Sequence, residues 1–479
     1  MTDRSATALN AKHLDECSAQ FHHERANKVA ENAATTNGVL KAATSFEGMR
    51  ALPRKFDIEL KVPSITNQRH SGRCWMFAGL NMLGYELIHA WNLTDFEFSE
   101  TYLYFWETLE KANSYLEKVI ATVDESTNDR LFQFINEAPG DDGGYWQLFA
   151  DLVSKYGLMP KDAYPESANS MDSGAFKQYL GTKLRMFAAD LREHHANGAS
   201  EAELRAIKED DMAVIYRMTC ICLGEPPKTF DVLLRTEEKP EDTDGKSANA
   251  DKPQHKLGEA SNGTDKRQQI VEHGITPLEF VKKYVPVDVA DFVTLCNSPM
   301  DSTPYNKPYV LEHSRDIAEA DDYTFLNVDL ETFRRAAVKQ IKDGHPLYFC
   351  CDCEQFALRK EGYFSRNVVR VDELFGTSFD YSKAFGLQYC ESVSNHAMEI
   401  TGVELNEDGE PVRWKVENSW GKDNGDNGFY IGDAQWFDDF VNELVINKKY
   451  LEAATLEALN EQPVALQPWE PLSRSMRMR

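Results

Sequence analysis

The segment 396–418 constrains the fold most, because its pattern has the two-residue period of a β-strand. In residues 412–417, apolar side chains alternate with charged ones, and Asn418 continues the face of the apolar residues, which is typical of a half-buried strand. An apolar run at 397–403 precedes it, and the sequence Asn-Glu-Asp-Gly at 406–409 is a turn signal. The sequence therefore predicts a β-hairpin.

This hairpin brings a histidine and an asparagine together. The midpoint between His396 and Asn418 is residue 407, inside the predicted turn. The two residues therefore fall roughly opposite each other at the open end, where cross-strand Cβ atoms are about 5 Å apart. We expect the asparagine oxygen to accept a hydrogen bond from the imidazole. A register slip of one residue would move one side chain to the other face.

A predicted helix begins at a cysteine far upstream. From Cys74 to Trp91 there is no proline, and apolar residues recur at helical spacing. The dipeptide Ser71-Gly72 is a plausible helix start. In the first turn, the helix dipole would stabilise the thiolate of Cys74. Taken alone, the cysteine also fits a buried structural residue on a core helix.

Four residues have the types that thiol catalysis needs. The Cys74 thiolate would attack a carbonyl, and His396 would protonate the departing amine and later activate water. Asn418 would orient the imidazole, and the amide of Gln68, with the backbone N–H of Cys74, would form an oxyanion hole. Since a paired imidazole can lower a thiol pKa by several units, we expect thiolate and imidazolium to coexist near neutrality. Trp420 would cover the Asn–His hydrogen bond or serve as a core tryptophan.

Composition narrows the function classes. The chain has 479 residues, enough for more than one domain, and a net charge of −26, which disfavours nucleic acid and anionic membranes as partners. The N-terminus lacks the apolar core of a signal peptide, and no stretch approaches the ~20 apolar residues of a membrane span. The nine cysteines are sparse and irregular. We therefore expect a cytoplasmic protein without metal or cofactor.

Three other segments have distinctive patterns. Residues 175–191 and 201–218 are predicted to be helical. The segment 236–269 holds one large aliphatic residue, Leu257, and no aromatic residue, so it is predicted to be a long exposed or partly disordered loop. The cysteines at 350, 351 and 353 follow an apolar run and are read as core residues of a buried strand, with alternate cysteines on opposite faces.

Several blocks of the sequence resemble papain-type peptidases, and more narrowly the bleomycin hydrolase and aminopeptidase C branch. They span nearly the whole chain: residues 68–78, 142–146, 224–230, 275–280, 396–398, 417–421 and 467–471. The resemblance implies an α+β, papain-like two-lobed fold with helical insertions, in which a helical lobe carries the Cys and a β-barrel lobe carries the His and Asn. It also implies a cytoplasmic homohexamer with active sites facing an internal cavity.

On this basis we predict an N-terminal extension at 1–50 and a helical catalytic lobe at 51–164. An accessory (hook or oligomerisation) region would follow at 165–320, with a flexible loop at 236–269. A β-barrel catalytic lobe would span 321–460, and a C-terminal arm reaching the cleft would span 461–479. The resemblance also matches Cys74, His396, Asn418 and Gln68 to the nucleophile, base, orienting residue and oxyanion donor. Gly143 and Gly144 would pair with extended substrate, or form a plain turn.

Members of this branch hold their own C-terminal carboxylate in the cleft, where it captures the α-ammonium of the substrate. The terminal residue here is Arg479, and the tail 473–479 departs from the family by being longer and basic. It could dock on acidic surface or fill the cleft and need trimming. The predicted function is a cytosolic cysteine aminopeptidase acting on peptides; a papain-like endopeptidase and a non-catalytic caged peptide-binding assembly stay open.

Overall fold

The structure, a computed structural model, describes residues 7–237, 258–259 and 268–477. Helices flank a large mixed sheet. The α-helices are α1 Ala11–His23, α2 Arg25–Asn37, α3 Val39–Ala42, α4 Phe46–Ala51, α5 Cys74–Trp91, α6 Glu100–Ala121, α7 Arg130–Glu137, α8 Trp146–Tyr156, α9 Ala168–Met171, α10 Gly174–Ala196, α11 Glu201–Leu223, α12 Pro277–Tyr284, α13 Leu330–Lys342, α14 Val371–Phe375, α15 Lys383–Gln388, α16 Ala434–Phe440, α17 Ala453–Ala458 and α18 Pro471–Met476.

The strands form two sheets. They are β1 Ile58–Glu59, β2 Phe230–Arg235, β3 Gly258–Glu259, β4 Gln268–Ile275, β5 Phe292–Cys296, β6 Lys307–Leu311, β7 Thr324–Asn327, β8 Leu347–Cys351, β9 Ala357–Leu358, β10 Tyr363–Phe364, β11 His396–Leu405, β12 Pro411–Glu417, β13 Phe429–Asp433, β14 Val441–Asn447 and β15 Val464–Leu466. The larger sheet has the order β15-β6-β7-β5-β14-β8-β11-β12-β13-β10-β9, with β1 paired to β11, and the smaller has the order β2-β4-β3.

The central strand β8 shows how the sheet separates two apolar cores. All five of its residues are buried. Tyr348 and Cys350 pack in the core that contains helix α5, whereas Leu347, Phe349 and Cys351 pack in the core that contains helix α13. The predicted buried strand, with adjacent cysteines on opposite faces, is confirmed.

The predicted hairpin is strands β11 and β12. The two strands are antiparallel, with Glu399 opposite Glu417 and two register shifts between there and the turn. Continuing this register places Trp420 opposite His396, so Asn418 lies diagonally across from the histidine rather than directly opposite. The predicted alignment was therefore wrong by two residues. An offset of two keeps both side chains on one face.

The accessory region is partly helical. Helices α10 and α11 confirm the helices predicted at 175–191 and 201–218. In the predicted loop 236–269, residues 238–257 and 260–267 lie outside the described residues. Residues at its end form strand β3 and the start of β4 instead of a loop, because their backbones pair in the small sheet.

The C-terminal arm is docked rather than loose. Strand β15 pairs in parallel with β6, and Leu472 and Met476 of helix α18 are buried. The backbone N–H of Ser394 donates to the carbonyl of Ser475 over 2.8 Å. The arm therefore lies against the loop that precedes His396. In the described part of the chain, no helix is both long enough and apolar enough to cross a membrane.

A mixed α and β fold is confirmed by this architecture. Strands β5 and β6, from the predicted accessory region, belong to the same sheet as the strands of the predicted barrel lobe. The division into lobes and the domain bounds remain predictions.

Candidate active site

The cysteine occupies the first position of helix α5, as predicted. Cys74 is 6% exposed, and backbone N–H groups of Ala397, Trp75 and Cys74 itself donate toward its sulfur. Ala397 directly follows His396 in strand β11. The sulfur therefore lies where the helix meets the start of this strand.

The imidazole is held from two sides. Nε2 of His396 lies 2.8 Å from Oδ1 of Asn418, and the indole of Trp420 stacks on the ring with centroids 4.6 Å apart. Because an amide oxygen can only accept, Nε2 carries the proton and the neutral ring keeps its lone pair on Nδ1. The predicted Asn–His hydrogen bond and the cover by Trp420 are confirmed, and Nδ1 is the nitrogen left to accept a proton.

The glutamine is anchored to the residue that follows Asn418. The hydroxyl of Ser419 donates to Oε1 of Gln68 over 2.7 Å, and the backbone N–H of Gln68 donates to the carbonyl of Ser419 over 2.8 Å. Nε2 of Gln68 donates one N–H to the carbonyl of Ser71 over 2.7 Å. A primary amide has two N–H groups, and this bond uses one of them.

The burial of both partners opposes the predicted resting ion pair, which stays a prediction. Burial raises the pKa of the Cys74 thiol to about 11, and the nearby backbone N–H groups only partly oppose this. Burial also lowers the pKa of His396 to about 4, against the hydrogen bond to Asn418, and the positive charge of Arg359 lowers it further. Burial thus disfavours the charged form of each partner, and both shifts oppose a resting thiolate–imidazolium pair.

The glycine pair lies beside the cysteine for a packing reason. A side chain at Gly144 would meet the ring of Trp75 at 2.5 Å, and the indole N–H of Trp75 donates to the carbonyl of Asp142 over 2.8 Å. The buried ammonium of Lys111 donates to the carbonyl of Gly143. This loop is therefore fixed against the first turn of helix α5.

Sequence reasoning missed the buried charges beneath this loop. The ammonium of Lys111 is 2.7 Å from Glu107, and Lys177 is 3.2 Å from Asp142. Burial would raise the pKa of Asp142, but Lys177 and other donors lower it to about 2. Of these residues, only Asp142 belongs to a sequence block that resembles the family. Lys111 and Lys177 lie within ordinary helical patterns, which do not indicate a buried ion pair.

The end of the C-terminal arm reaches the same neighbourhood. Arg477 lies over the ring of Phe134, 4.1 Å from its centroid, and lines a cavity that also includes Gly143 and Gly144. The predicted substrate-binding residue Arg479 lies outside the described residues. The basic tail thus approaches the proposed substrate edge at Arg477.

A cysteine, a histidine, an asparagine and a glutamine gathered where a helix meets a strand end are the residue types of a thiol peptidase. A model of the Peptidase C1-like family matches residues 8–251 and 246–473. The chain belongs to this family.

Individual relatives are similar over nearly their full lengths. Aminopeptidase C of Streptococcus thermophilus is 34% identical over 466 residues, covering 97% of this chain and 98% of that protein. Aminopeptidase E of Lactobacillus helveticus is 36% identical over 470 residues, covering 98% and 100%. The crystal structure of PepW from Lactobacillus rhamnosis HN001 has a TM-score of 0.89 and 33% identity, covering 98% of this chain and 99% of that chain. The predicted placement in the aminopeptidase C branch, with its cysteine-type peptidase class, is confirmed.

Proposed function

We propose that this protein is a cysteine aminopeptidase that hydrolyses the N-terminal residue of peptides. One observation carries the proposal: Nε2 of His396 is bound to Asn418, while the sulfur of Cys74 lies at the backbone N–H of the next residue, Ala397. This arrangement leaves Nδ1 of the imidazole as the proton acceptor for the thiol.

In the proposed reaction, Cys74 attacks the scissile carbonyl as its proton passes to Nδ1 of His396. The imidazolium then gives that proton to the departing amine, which leaves a thioester on Cys74. Water attacks the thioester while His396 takes its proton, and the acid is released as the proton returns to the sulfur. Because burial disfavours both charges before substrate binds, we propose that the imidazole acts as a general base rather than as half of a preformed ion pair.

Charge that develops on the carbonyl oxygen has two proposed donors. They are the second N–H of the Gln68 side chain and the backbone N–H of Cys74, at the positive end of helix α5. The bonds from Ser419 to Gln68 orient the amide so that its nitrogen can face this oxygen. The buried position of Gln68 excludes water that would compete for the same oxyanion.

Restriction to N-terminal residues is supported by the names of the relatives and by the docked C-terminal arm. Arg477 lines the cavity beside Gly143 and Gly144, where the arm would obstruct a longer substrate. We propose a homohexameric, cytoplasmic enzyme on the family resemblance, and light scattering on the purified protein tests the assembly.

The test compares Cys74→Ala with Cys17→Ala, an exposed cysteine, on a fluorogenic amino-acid amide and its N-acetylated form. We expect the first variant to lose turnover at unchanged particle size and the second to keep it, with a strong preference for the free amine. Turnover that survives in Cys74→Ala would contradict the proposal, and equal cleavage of the acetylated substrate would favour an endopeptidase.

A further inference from the structure

A cavity of about 700 Å³ opens between the C-terminal arm and the loop before His396. We name it the arginine cavity after Arg130, Arg474 and Arg477, which line it together with one acidic residue, Glu137. Its volume is within the range of small-ligand sites. Its lining is cationic in a chain whose net charge is −26.

Two of these guanidinium groups lack an acidic partner. Across residues 7–237 and 268–477, neither Arg130 nor Arg474 forms an ion pair with a carboxylate. Arg130 instead lies over the indole of Trp469, 4.3 Å from the ring centroid. Guanidinium groups match carboxylates in geometry and bind them with charge-assisted hydrogen bonds.

The cavity is held in a fixed shape. Arg474 belongs to helix α18, whose neighbours Ser473 and Ser475 are fully buried, and the bond from Ser394 ties this helix to the opposite wall. Arg130 is the first residue of helix α7, on a separate part of the chain. The two guanidinium groups are therefore presented by docked helices rather than by a loose tail.

One wall of the cavity is the loop directly before His396. Asn395 lines it and is the residue directly before His396. The side chain of Asn395 donates to Asp352 over 2.7 Å and accepts from the backbone N–H of Cys353 over 3.0 Å, so this wall is rigid. The cavity therefore borders the loop that leads into the strand of His396.

We propose that the arginine cavity binds a carboxylate of the peptide substrate and so favours acidic peptides. This inference rests on the proposed peptidase function and names a substrate class for it. The carboxylate could belong to an acidic side chain or to the C-terminus of a short peptide. Both present the same planar anion to Arg130 and Arg474.

The experiment measures kcat/KM of the full chain for matched substrates. One arm compares a glutamate-containing fluorogenic peptide with its glutamine isostere, and the other compares a tripeptide acid with its amide. We expect the carboxylate form to be favoured in at least one arm, and the arm that responds identifies the source.

Arg130→Gln and Arg474→Gln, singly and together, then test the cavity. The quantity compared is kcat/KM for the carboxylate substrate divided by kcat/KM for its neutral counterpart, called here the acid-to-amide ratio. Each change should reduce this ratio by about tenfold, the effect of one lost charge-assisted hydrogen bond. Arg130→Lys should restore part of the ratio. The matched control is Arg217→Gln, an exposed arginine of helix α11, which should leave the ratio unchanged.

Three results would overturn the inference: no preference in either arm, an unchanged ratio in the double variant, or an equal loss in Arg217→Gln. The rate at which the unmodified chain hydrolyses the neutral substrates tests the peptidase function independently of the cavity. If those substrates are cleaved and the ratios are flat, the cavity inference fails while the peptidase function stands.

Discussion

The pairing of Glu399 and Glu417 across the hairpin leads to a prediction about pH. The two carboxyl groups are on directly opposed residues and are 2% and 3% exposed. Burial, and then the neighbouring Glu417, raises the pKa of Glu399 well above its usual value. Burial raises the pKa of Glu417 to about 8, although Lys415 opposes the shift. At neutral pH the folded pair therefore holds protons that the unfolded chain releases.

The groups that surround this pair do not neutralise it. From helix α5, the amide of Asn81 donates to Oε1 of Glu417 over 3.4 Å. Glu86 of the same helix also faces Glu399, and its carboxylate is 2.6 Å from Nδ1 of His345. A third acid thus adds to the repulsion that keeps the pair protonated.

The sign and size of the effect follow from proton binding. Between pH 5.5 and 7.5 the unfolded carboxyl groups are ionised and the folded ones are protonated, so the free energy of unfolding falls as pH rises. The slope is about 1.4 kcal/mol per pH unit for each proton held. Glu399→Gln removes one such proton, so it should make this slope shallower by about 1.4 kcal/mol per unit.

The assay is the thermal midpoint measured from pH 5.5 to 7.5 at constant ionic strength. For 479 residues, at about 2 cal/mol/K of unfolding entropy per residue, 1 kcal/mol corresponds to about 1 °C. Glu399→Gln should therefore gain about 3 °C relative to wild type across the window. Glu407→Gln, in the exposed turn, is the control and should stay parallel to wild type. Parallel curves for Glu399→Gln would refute the reasoning.

Three further predictions concern the candidate active site. Because burial raises the pKa of Cys74 to about 11, its alkylation by iodoacetamide should accelerate about tenfold per pH unit from pH 6 to 9; a rate independent of pH would instead indicate a preformed ion pair. Gln68→Ala should lower kcat about 100-fold with little change in KM, and a change confined to KM would argue against an oxyanion role. Asn418→Ala should lower kcat/KM by at least tenfold, because the imidazole loses its orientation. An unchanged kcat/KM in steady-state kinetics would contradict this role.

The parts of the fold that sequence could predict are those governed by local period. The strand alternation at 412–418 and the turn at 406–409 fixed the hairpin, and the proline-free apolar repeat after Cys74 fixed helix α5. The two register shifts in the hairpin could not be read from the pattern. The shifts cancel each other, but the hairpin is centred on residue 408 rather than 407, so Glu399 lies opposite Glu417 and not opposite residue 415.

The electrostatics of the candidate site were less predictable. A first-turn cysteine with a histidine partner suggests a thiolate, but the pKa values depend on how completely Cys74 and His396 leave water, which only the packed fold decides. The contacts of Lys111 with the Gly143 loop join positions that are remote in sequence. No local pattern signals such a contact.

The attachment of Gln68 to Ser419 has a mechanical consequence. Gln68, the proposed oxyanion donor, is hydrogen-bonded to Ser419, which directly follows Asn418, the residue proposed to orient the imidazole. A displacement of this strand end would therefore move both Gln68 and Asn418. Loss of the hydrogen bonds between Gln68 and Ser419 would disable proton transfer and carbonyl polarisation together. On heating, activity should accordingly be lost in one step, without a partly active intermediate that still polarises the substrate carbonyl.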